Sequence, residues 1–336
     1  MMRPNILVCG FTGVGKTSLI QSVTKAGTVP DSAISDSVAA THGFVCYETD
    51  AAVFVDSEGL EPGQGMAAFI ERISSEVERR LSLRCQDQVI HAIWYCIAGT
   101  QDRIQPSDKT FIREFSDKVL LVVTKTEDMR EKQFKSLSAE LSGLVAHERV
   151  VFVSGHKQTG LGQLIQATKN VAMRSMQESG HEIMCYEQKW QVYFAEKVAE
   201  VKDRCAQEAD SYINWAAGRA AAVAINPFPL ADLPVLAANE VYMIYKIGSA
   251  YGYSVDSTMI AGILGAAGAS FAGKLLASFL PGVKIAVAAA TTYGVGKAAK
   301  CYFESGMTLD EKALKRQFEL AKKDGQAIKW EPVEEN

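Results

Sequence analysis

The sequence predicts a doubly wound α/β domain with a mostly parallel sheet, followed by a separate all-α domain. Between residue 5 and about residue 173, short apolar segments alternate with longer segments of helical periodicity. This alternation is typical of parallel strands that are each followed by a helix. Beyond about Arg174 only helical spacing remains. The 336 residues also correspond to about two domains of ordinary size.

Six apolar segments are the expected strands. Most are apolar throughout, as in strands buried on both faces of a parallel sheet. Only a short turn at Thr49 and Asp50 separates the second from the third, so we expect a hairpin and one antiparallel edge strand. The expected strands cover residues 6–9, 44–47, 53–55, 89–97, 119–123 and 150–153.

The helical half is expected to begin with a long amphipathic helix. Apolar residues from Tyr186 to Ala216 recur at spacings of three and four, and the proline-rich segment 226–234 ends this pattern. The predicted parts are an α/β domain over 1–175, a connecting helix over 176–225, an all-α domain over 226–326 and a polar tail over 327–336.

Four further helices are expected in the all-α domain. The last is preceded by Thr308-x-x-Glu311, the pattern of a capping box, and should end before Gly325. The four segments are 235–252, 257–280, 283–303 and 309–324.

Composition excludes several classes of function. The net charge is −4 and no basic stripe is present, so no nucleic-acid partner is expected. The seven cysteines include no Cys-x-x-Cys pair, which argues against a zinc site or a disulfide framework. The N-terminus has no pattern of a signal peptide. We therefore expect an acidic cytoplasmic protein.

The segment from Gly10 to Thr17 carries the strongest functional signal. It reads Gly-x-x-x-x-Gly-Lys-Thr, follows the first strand and opens a helix, which is the context of a Walker A phosphate-binding loop. Its backbone N–H groups and the helix N-terminus would hold phosphates. Lys16 would reach the β- and γ-phosphates, and the Thr17 hydroxyl would ligate Mg²⁺. The residues expected to bind are Gly10, Gly13, Val14, Gly15, Lys16, Thr17 and Ser18.

Three further motifs end the third, fifth and sixth strands, where the ligand crevice of an open α/β sheet lies. They are Asp56-Ser57-Glu58-Gly59, Thr124-Lys125-Thr126-Glu127 and Ser154-Gly155-His156. With them, the N-terminal domain resembles the translation-factor class of P-loop GTPases, near the Era-like and Ras-like families. The resemblance implies GTP or GDP and Mg²⁺ as ligands.

The resemblance also implies roles for individual residues. Asp56 would hold Mg²⁺ through water, and the Gly59 N–H would contact the γ-phosphate. The base would be read by Thr124, Lys125, Glu127, Ser154 and Gly155. The metal would be held by Thr17, Thr41 and Asp56, and catalysis would depend on Lys16, Thr41 and Gly59.

Thr41 is the candidate for the mobile switch threonine. It precedes the second strand, in the polar stretch between Gly27 and Thr41. Its hydroxyl or carbonyl would complete the Mg²⁺ shell only when a γ-phosphate is bound. Thr28, Ser35 and Ser37 are alternatives in the same stretch.

Two positions depart from the pattern of these GTPases. Glu127 stands where they carry the aspartate that accepts two guanine N–H groups, so either the loop adapts to the longer side chain or Asp128 takes the role. Leu60 stands where Ras-like proteins carry a water-orienting glutamine. Since an unassisted Ras-type site turns over only about once per hour, we expect slow hydrolysis.

Segment 257–303 combines two apolar arms around a turn at Pro281 and Gly282. Small residues at every fourth position would let two helices of a hairpin approach closely. We expect a buried hairpin; the alternative is contact with a membrane, although lysines interrupt each arm. The small residues are Ala261, Gly265, Ala269, Gly273 and Ala277 in one arm and Ala286, Ala290, Gly294 and Ala298 in the other.

The helical half also resembles a known family. Segments 226–232 and 243–247, the pair Tyr251-Gly252 and the Gly/Ala-rich arms are similar to the YcjF-like C-terminal domain family of unassigned function. The resemblance covers about 215–325. It implies a bacterial origin and proximity to membranes, but no chemistry.

The predicted function is a GTP-binding protein with slow Mg²⁺-dependent GTP hydrolysis, acting as a nucleotide switch that controls its helical domain. A protein effector or self-association would accompany the guanine nucleotide. Two alternatives stay open. One is a nucleotide-stabilised scaffold or membrane adaptor with negligible turnover, and the other is a dynamin-like membrane-associated GTPase that would use 257–303.

Overall fold

A six-stranded sheet organises the first half of the computed structural model, which describes residues 3–30, 43–61, 65–82, 88–101, 103–180, 183–225, 233–266 and 284–330. The strand order is β2-β3-β1-β4-β5-β6. Only β2 runs antiparallel to its neighbour. The strands are β1 (Asn5–Gly10), β2 (Phe44–Glu48), β3 (Val53–Ser57), β4 (Ile90–Ala98), β5 (Val119–Thr124) and β6 (Val150–Phe152).

Among the described residues, five α-helices connect or follow these strands. Their presence confirms the predicted doubly wound α/β class, including the hairpin between β2 and β3. The parallel strands end at one edge of the sheet, so the predicted motifs at their carboxyl ends meet there. The helices are α1 (Lys16–Val23), α2 (Met66–Ser82), α3 (Pro106–Glu114), α4 (Glu131–Ser142) and α5 (Leu161–Glu178).

The strands form the centre of the core because nearly all their residues are apolar. Every residue of β1 is buried, as in a strand covered on both faces. A polar contact fixes α5 on the sheet, because the Trp94 Nε1–H donates to the Thr168 hydroxyl at 2.8 Å inside the core. Helix α1 packs on the same face, with Leu19, Ile20 and Val23 buried.

The second half of the described chain is helical, as predicted. Helix α6 (Met184–Val223) is a single helix of 40 residues. Of the predicted apolar stripe, all but Tyr186 and Val198 are buried. The remaining helices are α7 (Leu233–Ala250), α8 (Ser257–Ala266), α9 (Lys284–Glu304) and α10 (Glu311–Gln326).

The chain separates into two units by the clustering of its contacts. Unit 1 comprises residues 1–203 together with 252–254, and unit 2 comprises 204–251 and 255–336. The division falls inside α6, the helix that corresponds to the predicted connecting helix over 176–225. Within unit 2, α6 is joined to α9 by ion pairs of Asp210 with Lys297 and Lys300, at 2.6 and 2.7 Å.

The ends of α10 differ from the sequence prediction. The N-cap is Asp310 rather than Thr308, because the Asp310 carboxylate accepts the Ala313 N–H at 2.7 Å and so satisfies a donor of the first turn. Thr308 instead donates to the Ser305 carbonyl. At the other end, the helix continues through Gly325 to Gln326. The glycine has no side chain, so the backbone of α10 can lie close to Ala290 of α9.

Small residues of α9 contact α10, a contact that the sequence analysis did not predict. Within the described residues, Ala290 lies against Gly325 and Gly294 lies against Phe318, so this part of the ridge packs on α10. The predicted contact with the first arm falls partly on residues 267–283, which lie outside the described ranges. Among the described helices, none has both the length and the apolar composition needed to cross a membrane.

We predict that Gly294→Ala destabilises unit 2. A Cβ at this position would lie 2.9 Å from a ring carbon of the buried Phe318 and 3.1 Å from the Cβ of Lys322. Overpacking of this kind lowers the free energy of unfolding by about 1–3 kcal/mol, more than the gain in helix propensity. Urea unfolding of the full-length chain measures the change.

Gly162→Ala in α5 is the matched control. Its Cβ would meet only the Val201 side chain, at 3.6 Å, so this variant should be as stable as the wild type or up to about 1 kcal/mol more stable. Equal stability of both variants would show that the contact between α9 and α10 has room for a methyl group.

Candidate functional site

The loop between β1 and α1 has a backbone that requires its glycines. Gly13 and Gly15 have φ angles of 76° and 91°, which side chains with a Cβ rarely adopt. A Cβ on Gly10 would overlap the carbonyl oxygen of Cys96. Gly15 is the N-cap of α1 and supplies no side-chain acceptor. The first N–H groups of α1 are therefore available to an anion.

Lys16 is held inside this loop. Its Nζ donates to the carbonyl oxygens of Gly10 and Phe11, at 3.3 and 3.0 Å, and the residue is only 7% exposed. Burial lowers the pKa of the Lys16 ammonium, while the nearby Asp56 carboxylate acts in the opposite direction. The hydrogen-bond partners of this ammonium are neutral carbonyls. An anionic ligand that replaced them would form a stronger, charge-assisted hydrogen bond with Lys16.

Asp56 lies within β3 and is 1% exposed. Its Oδ2 accepts the Thr17 hydroxyl at 2.5 Å, whereas its Oδ1 is buried with no hydrogen-bond partner among the described residues. Burial raises the pKa of this carboxyl against the effect of Thr17 and Lys16. A buried carboxylate oxygen that lacks a partner, beside a hydroxyl, fits the oxygen ligands that Mg²⁺ prefers.

The segment after Asp56 is attached to the loop between β1 and α1, the predicted phosphate-binding loop. The Leu60 N–H donates to the Gly10 carbonyl at 3.1 Å, and the Thr12 N–H donates to the Leu60 carbonyl at 3.2 Å. The Thr12 hydroxyl also donates to Glu61 at 2.7 Å. Gly59 fits only because it has no side chain, since a Cβ would overlap Thr12.

The side chains of this segment are engaged in the protein. Leu60 is 2% exposed, so its side chain lies in the core. Glu58 accepts from the Arg72 guanidinium through both its carboxylate and its carbonyl, at 3.1 and 2.8 Å. The Glu58 and Glu61 side chains are therefore bonded to other residues of the protein and are not placed to orient an attacking water molecule.

A cavity of about 570 Å³ continues from the phosphate-binding loop along the ends of β5 and β6. Glu127 lies in its wall, whereas Asp128 is exposed and is not part of the wall. The structure therefore favours Glu127 over Asp128 among the two alternatives. The other predicted residues in the wall are Val14, Gly15, Ser18, Thr124, Lys125 and Gly155.

Thr124 and Lys125 give this wall its shape. The Thr124 hydroxyl donates to the Val14 carbonyl at 2.7 Å, which ties the end of β5 to the phosphate-binding loop. Lys125 has a φ of 56°, an uncommon conformation for a residue with a side chain. The 3₁₀ turn Thr126–Asp128 follows directly and carries Glu127 to the cavity.

Ser154 is placed differently from the other predicted residues. It is buried, and its hydroxyl accepts the Lys157 N–H at 2.9 Å, so it shapes the loop after β6 and does not line the cavity. Thr41 lies outside the described residues, as do Ser35 and Ser37.

Among the wall residues that the sequence analysis did not name as ligand contacts are His156, Gln158 and Lys197. Gln158 has a φ of 53°, and its buried Oε1 has no hydrogen-bond partner within the described residues. No sequence pattern marks Gln158. Lys197 lies on α6, outside the predicted α/β domain, so its proximity depends on the packing of that helix.

We predict that Asp56→Asn makes the ligand-free protein more stable at pH 7. An amide keeps the acceptor for Thr17 and removes a buried charge whose pKa is raised by burial. With a raised pKa, the folded state binds the proton more tightly than the unfolded state, so wild-type stability falls as the pH rises above the ordinary carboxyl range. The difference in melting temperature between variant and wild type should therefore grow from about pH 4 to pH 7.

Asp128→Asn is the control for this measurement, because Asp128 is exposed and its replacement should leave the melting temperature nearly unchanged at each pH. A melting temperature of Asp56→Asn at or below that of the wild type at pH 7 would contradict the described environment of Asp56.

No protein-family model matches the chain, and no curated protein matches it. The resemblance of the helical half to the YcjF-like family therefore stays a prediction.

Three solved structures show partial similarity to the chain. The septin GTPase domain from Chlamydomonas reinhardtii is 19% identical, with coverage of 40% of this chain and 57% of that chain and a TM-score of 0.29. Era from Aquifex aeolicus, in a single-substitution variant bound to GDP·AlF4⁻, is 18% identical, with coverage of 51% and 57% and a TM-score of 0.39. A probable GTP-binding protein engB is 18% identical, with coverage of 52% and 99% and a TM-score of 0.35. The chain thus spans a little over half of the septin and Era chains, and likenesses of this size say nothing about its activity.

Proposed function

We propose that the protein binds GTP and GDP with Mg²⁺, hydrolyses GTP slowly, and uses the bound nucleotide as a switch for its helical half. One observation carries the proposal. A phosphate-binding loop with a buried lysine and a partly unsatisfied carboxylate opens into a cavity walled by Glu127. The two ends of this site are complementary to the phosphates and the base of one nucleotide.

At the phosphate end, the backbone N–H groups of the loop and the N-terminus of α1 bind the phosphate oxygens. Lys16 exchanges its two carbonyl partners for phosphate and so regains a charged partner. Thr17 and, through water, Asp56 would hold Mg²⁺, which neutralises charge on the phosphates when it is bound. The unpartnered Asp56 Oδ1 supports this assignment.

At the base end, the carboxylate of Glu127 would accept the two N–H groups that guanine presents and adenine lacks. Its position in the cavity wall supports this role. Thr124 holds the turn that carries Glu127 against the phosphate-binding loop through its bond to Val14. The base and the phosphates would therefore be read by parts of one connected scaffold.

The switch would operate through the segment Gly59–Glu61. A γ-phosphate that accepts the Gly59 N–H would change a segment that is already bonded to Gly10 and Thr12. Helix α1, which starts at the same loop, ends beside α6, where the Lys25 N–H donates to the Tyr193 hydroxyl at 3.2 Å. Because α6 continues into unit 2, it is a candidate route from the nucleotide to the helical half.

A second candidate function is a nucleotide-stabilised scaffold with negligible turnover. The burial of Leu60 and the engagement of Glu58 and Glu61 favour it. In this segment, none of the described side chains is placed to orient an attacking water. Hydrolysis would then require a residue from a partner or from outside the described part of the chain.

Calorimetry of purified protein with Mg²⁺ tests the nucleotide site. We expect GDP and a GTP analogue to bind about 100-fold more tightly than ADP and an ATP analogue, a difference of about 2.7 kcal/mol. Lys16→Ala should abolish binding of all four ligands. Glu127→Ala should reduce the guanine preference, whereas Asp128→Ala, at an exposed neighbour, should keep it.

The variants separate the two ends of the site. Micromolar binding to Lys16→Ala would contradict the phosphate assignment. Equal affinity for guanine and adenine nucleotides in the wild type would contradict the role of Glu127 and indicate an unselective NTP-binding protein.

Single-turnover hydrolysis of GTP distinguishes the enzyme from the scaffold. We expect a rate at or below about one per minute, the value of a site assisted by an arginine in cis, because no other water-orienting side chain compensates for Leu60 in the described segment. Lys16→Ala is the background control. No hydrolysis above that background, at high protein concentration and with candidate partners, would favour the scaffold.

A further inference from the structure

A short segment between α7 and α8 pairs with the edge of the sheet. Tyr253 forms an antiparallel bridge with Val151 of β6. The Phe152 N–H donates to the Gly252 carbonyl at 3.0 Å. By their contacts, residues 252–254 belong to unit 1, although the chain on both sides belongs to unit 2. We refer to residues 252–254 as the clamp.

The clamp lies at the base of the loop that follows β6, residues 154–160. This loop is closed by a reciprocal pair of bonds: the Ser154 N–H donates to the Thr159 carbonyl, and the Thr159 N–H donates to the Ser154 carbonyl, both at 3.1 Å. Phe152 precedes this closed loop in the chain, and Gly160 follows the pair of bonds that closes it. These two residues are its stems.

Gly252 contacts both stems. Its carbonyl holds the Phe152 N–H, and its Cα lies so close to Gly160 that a side chain has no room. A Cβ on Gly252 would lie 2.9 Å from the Gly160 carbonyl oxygen and 2.8 Å from the Cβ of Gln163. Gly252 also has a φ of 90°. Any larger residue would have to push the stems apart.

The loop that the clamp holds forms part of the cavity wall. Gly155, His156 and Gln158 all line the cavity together with the turn of Glu127. Gln158 keeps a left-handed backbone and a buried Oε1 without a hydrogen-bond partner in the described residues. Such features mark a loop whose shape is maintained by its surroundings.

We propose that the clamp positions the base-binding loop, so that Gly252 is a positioning residue for recognition of the guanine base. The proposal rests on the proposed function, because it assumes that a guanine base occupies this cavity. Since α7 and α8 carry the clamp, the helical half senses whether a base is bound. This coupling does not depend on the γ-phosphate, so GDP and GTP act alike on it.

Gly252→Ala in the full-length protein tests the proposal. We expect the affinity for GDP to fall about tenfold, within the range of ordinary coupling between sites, while the affinity for ADP changes little. The ratio of the GDP to the ADP affinity therefore falls by about the same factor. A merely structural defect would lower both affinities together and leave the ratio unchanged.

Gly180→Ala is the matched control. Gly180 has a similar φ of 80°, but a Cβ there would meet no atom within 4 Å. It therefore introduces the same backbone conflict without crowding a loop. We expect the wild-type affinity ratio in this variant. A ratio for Gly252→Ala within twofold of the wild type would overturn the proposal.

Hydrogen exchange of the wild type supplies a test that needs no variant. Saturating GDP and a GTP analogue should both slow amide exchange in 150–160 and in 251–255, whereas ADP at the same concentration should not. Protection of 150–160 without protection of 251–255 would overturn the role of the clamp and leave the proposed function intact. Absence of guanine-nucleotide binding in the wild type would overturn both.

Discussion

The carboxyl ends of β1, β3, β5 and β6 meet at one edge of a parallel sheet, and every part of the candidate site depends on this constraint. Parallel pairing places the carboxyl ends of the strands side by side. Because helices connect one strand to the next, the loops at these ends meet at the same edge of the sheet. The phosphate-binding loop, Asp56, the turn of Glu127 and the loop 154–160 are far apart in the sequence. Each follows or ends a strand of this sheet. The first loop, the turn of Glu127 and the loop 154–160 therefore line one cavity, and Asp56 is buried beside the first loop through its bond with Thr17.

The site holds its charges in an arrangement that a ligand would complete. Lys16 and Asp56 are both buried. Burial lowers the pKa of the Lys16 ammonium and raises the pKa of the Asp56 carboxyl, so it favours the neutral form of each group. Within the described part of the chain, one oxygen of the carboxylate has no hydrogen-bond partner and the ammonium donates to two carbonyl oxygens. Such a site trades stability of the empty protein for affinity. Bound phosphate and Mg²⁺ would offset this destabilisation, so ligand binding and folding stability are linked.

Two pieces of chain from beyond the predicted α/β domain belong to unit 1. Lys197 of α6 lies in the cavity wall, and the clamp holds both stems of the loop 154–160. The α/β unit is therefore completed by residues that follow it in the sequence, one within a long helix and the others between two helices. Lys197 is part of the cavity wall itself, whereas the clamp contacts the residues on either side of a loop in that wall.

Local signals in the sequence determined the fold class, the strand positions and the phosphate-binding loop. Apolar runs, glycine spacing and a lysine next to threonine act over a few residues, and their physical meaning is the same in any context. The capping of α10 was predicted wrongly, because Thr308 and Asp310 are both good caps and only the backbone path decides which carboxylate or hydroxyl reaches a free N–H. Tertiary structure also decided that Glu127, rather than Asp128, faces the cavity. In a 3₁₀ turn, neighbouring side chains point in different directions, so one lies in the cavity wall and the next is exposed to solvent. The places of Gln158 and Lys197 in the cavity wall, and the contact of Gly252 with the loop 154–160, could not be predicted from the sequence. They follow from the packing of distant segments, and no local pattern records that packing.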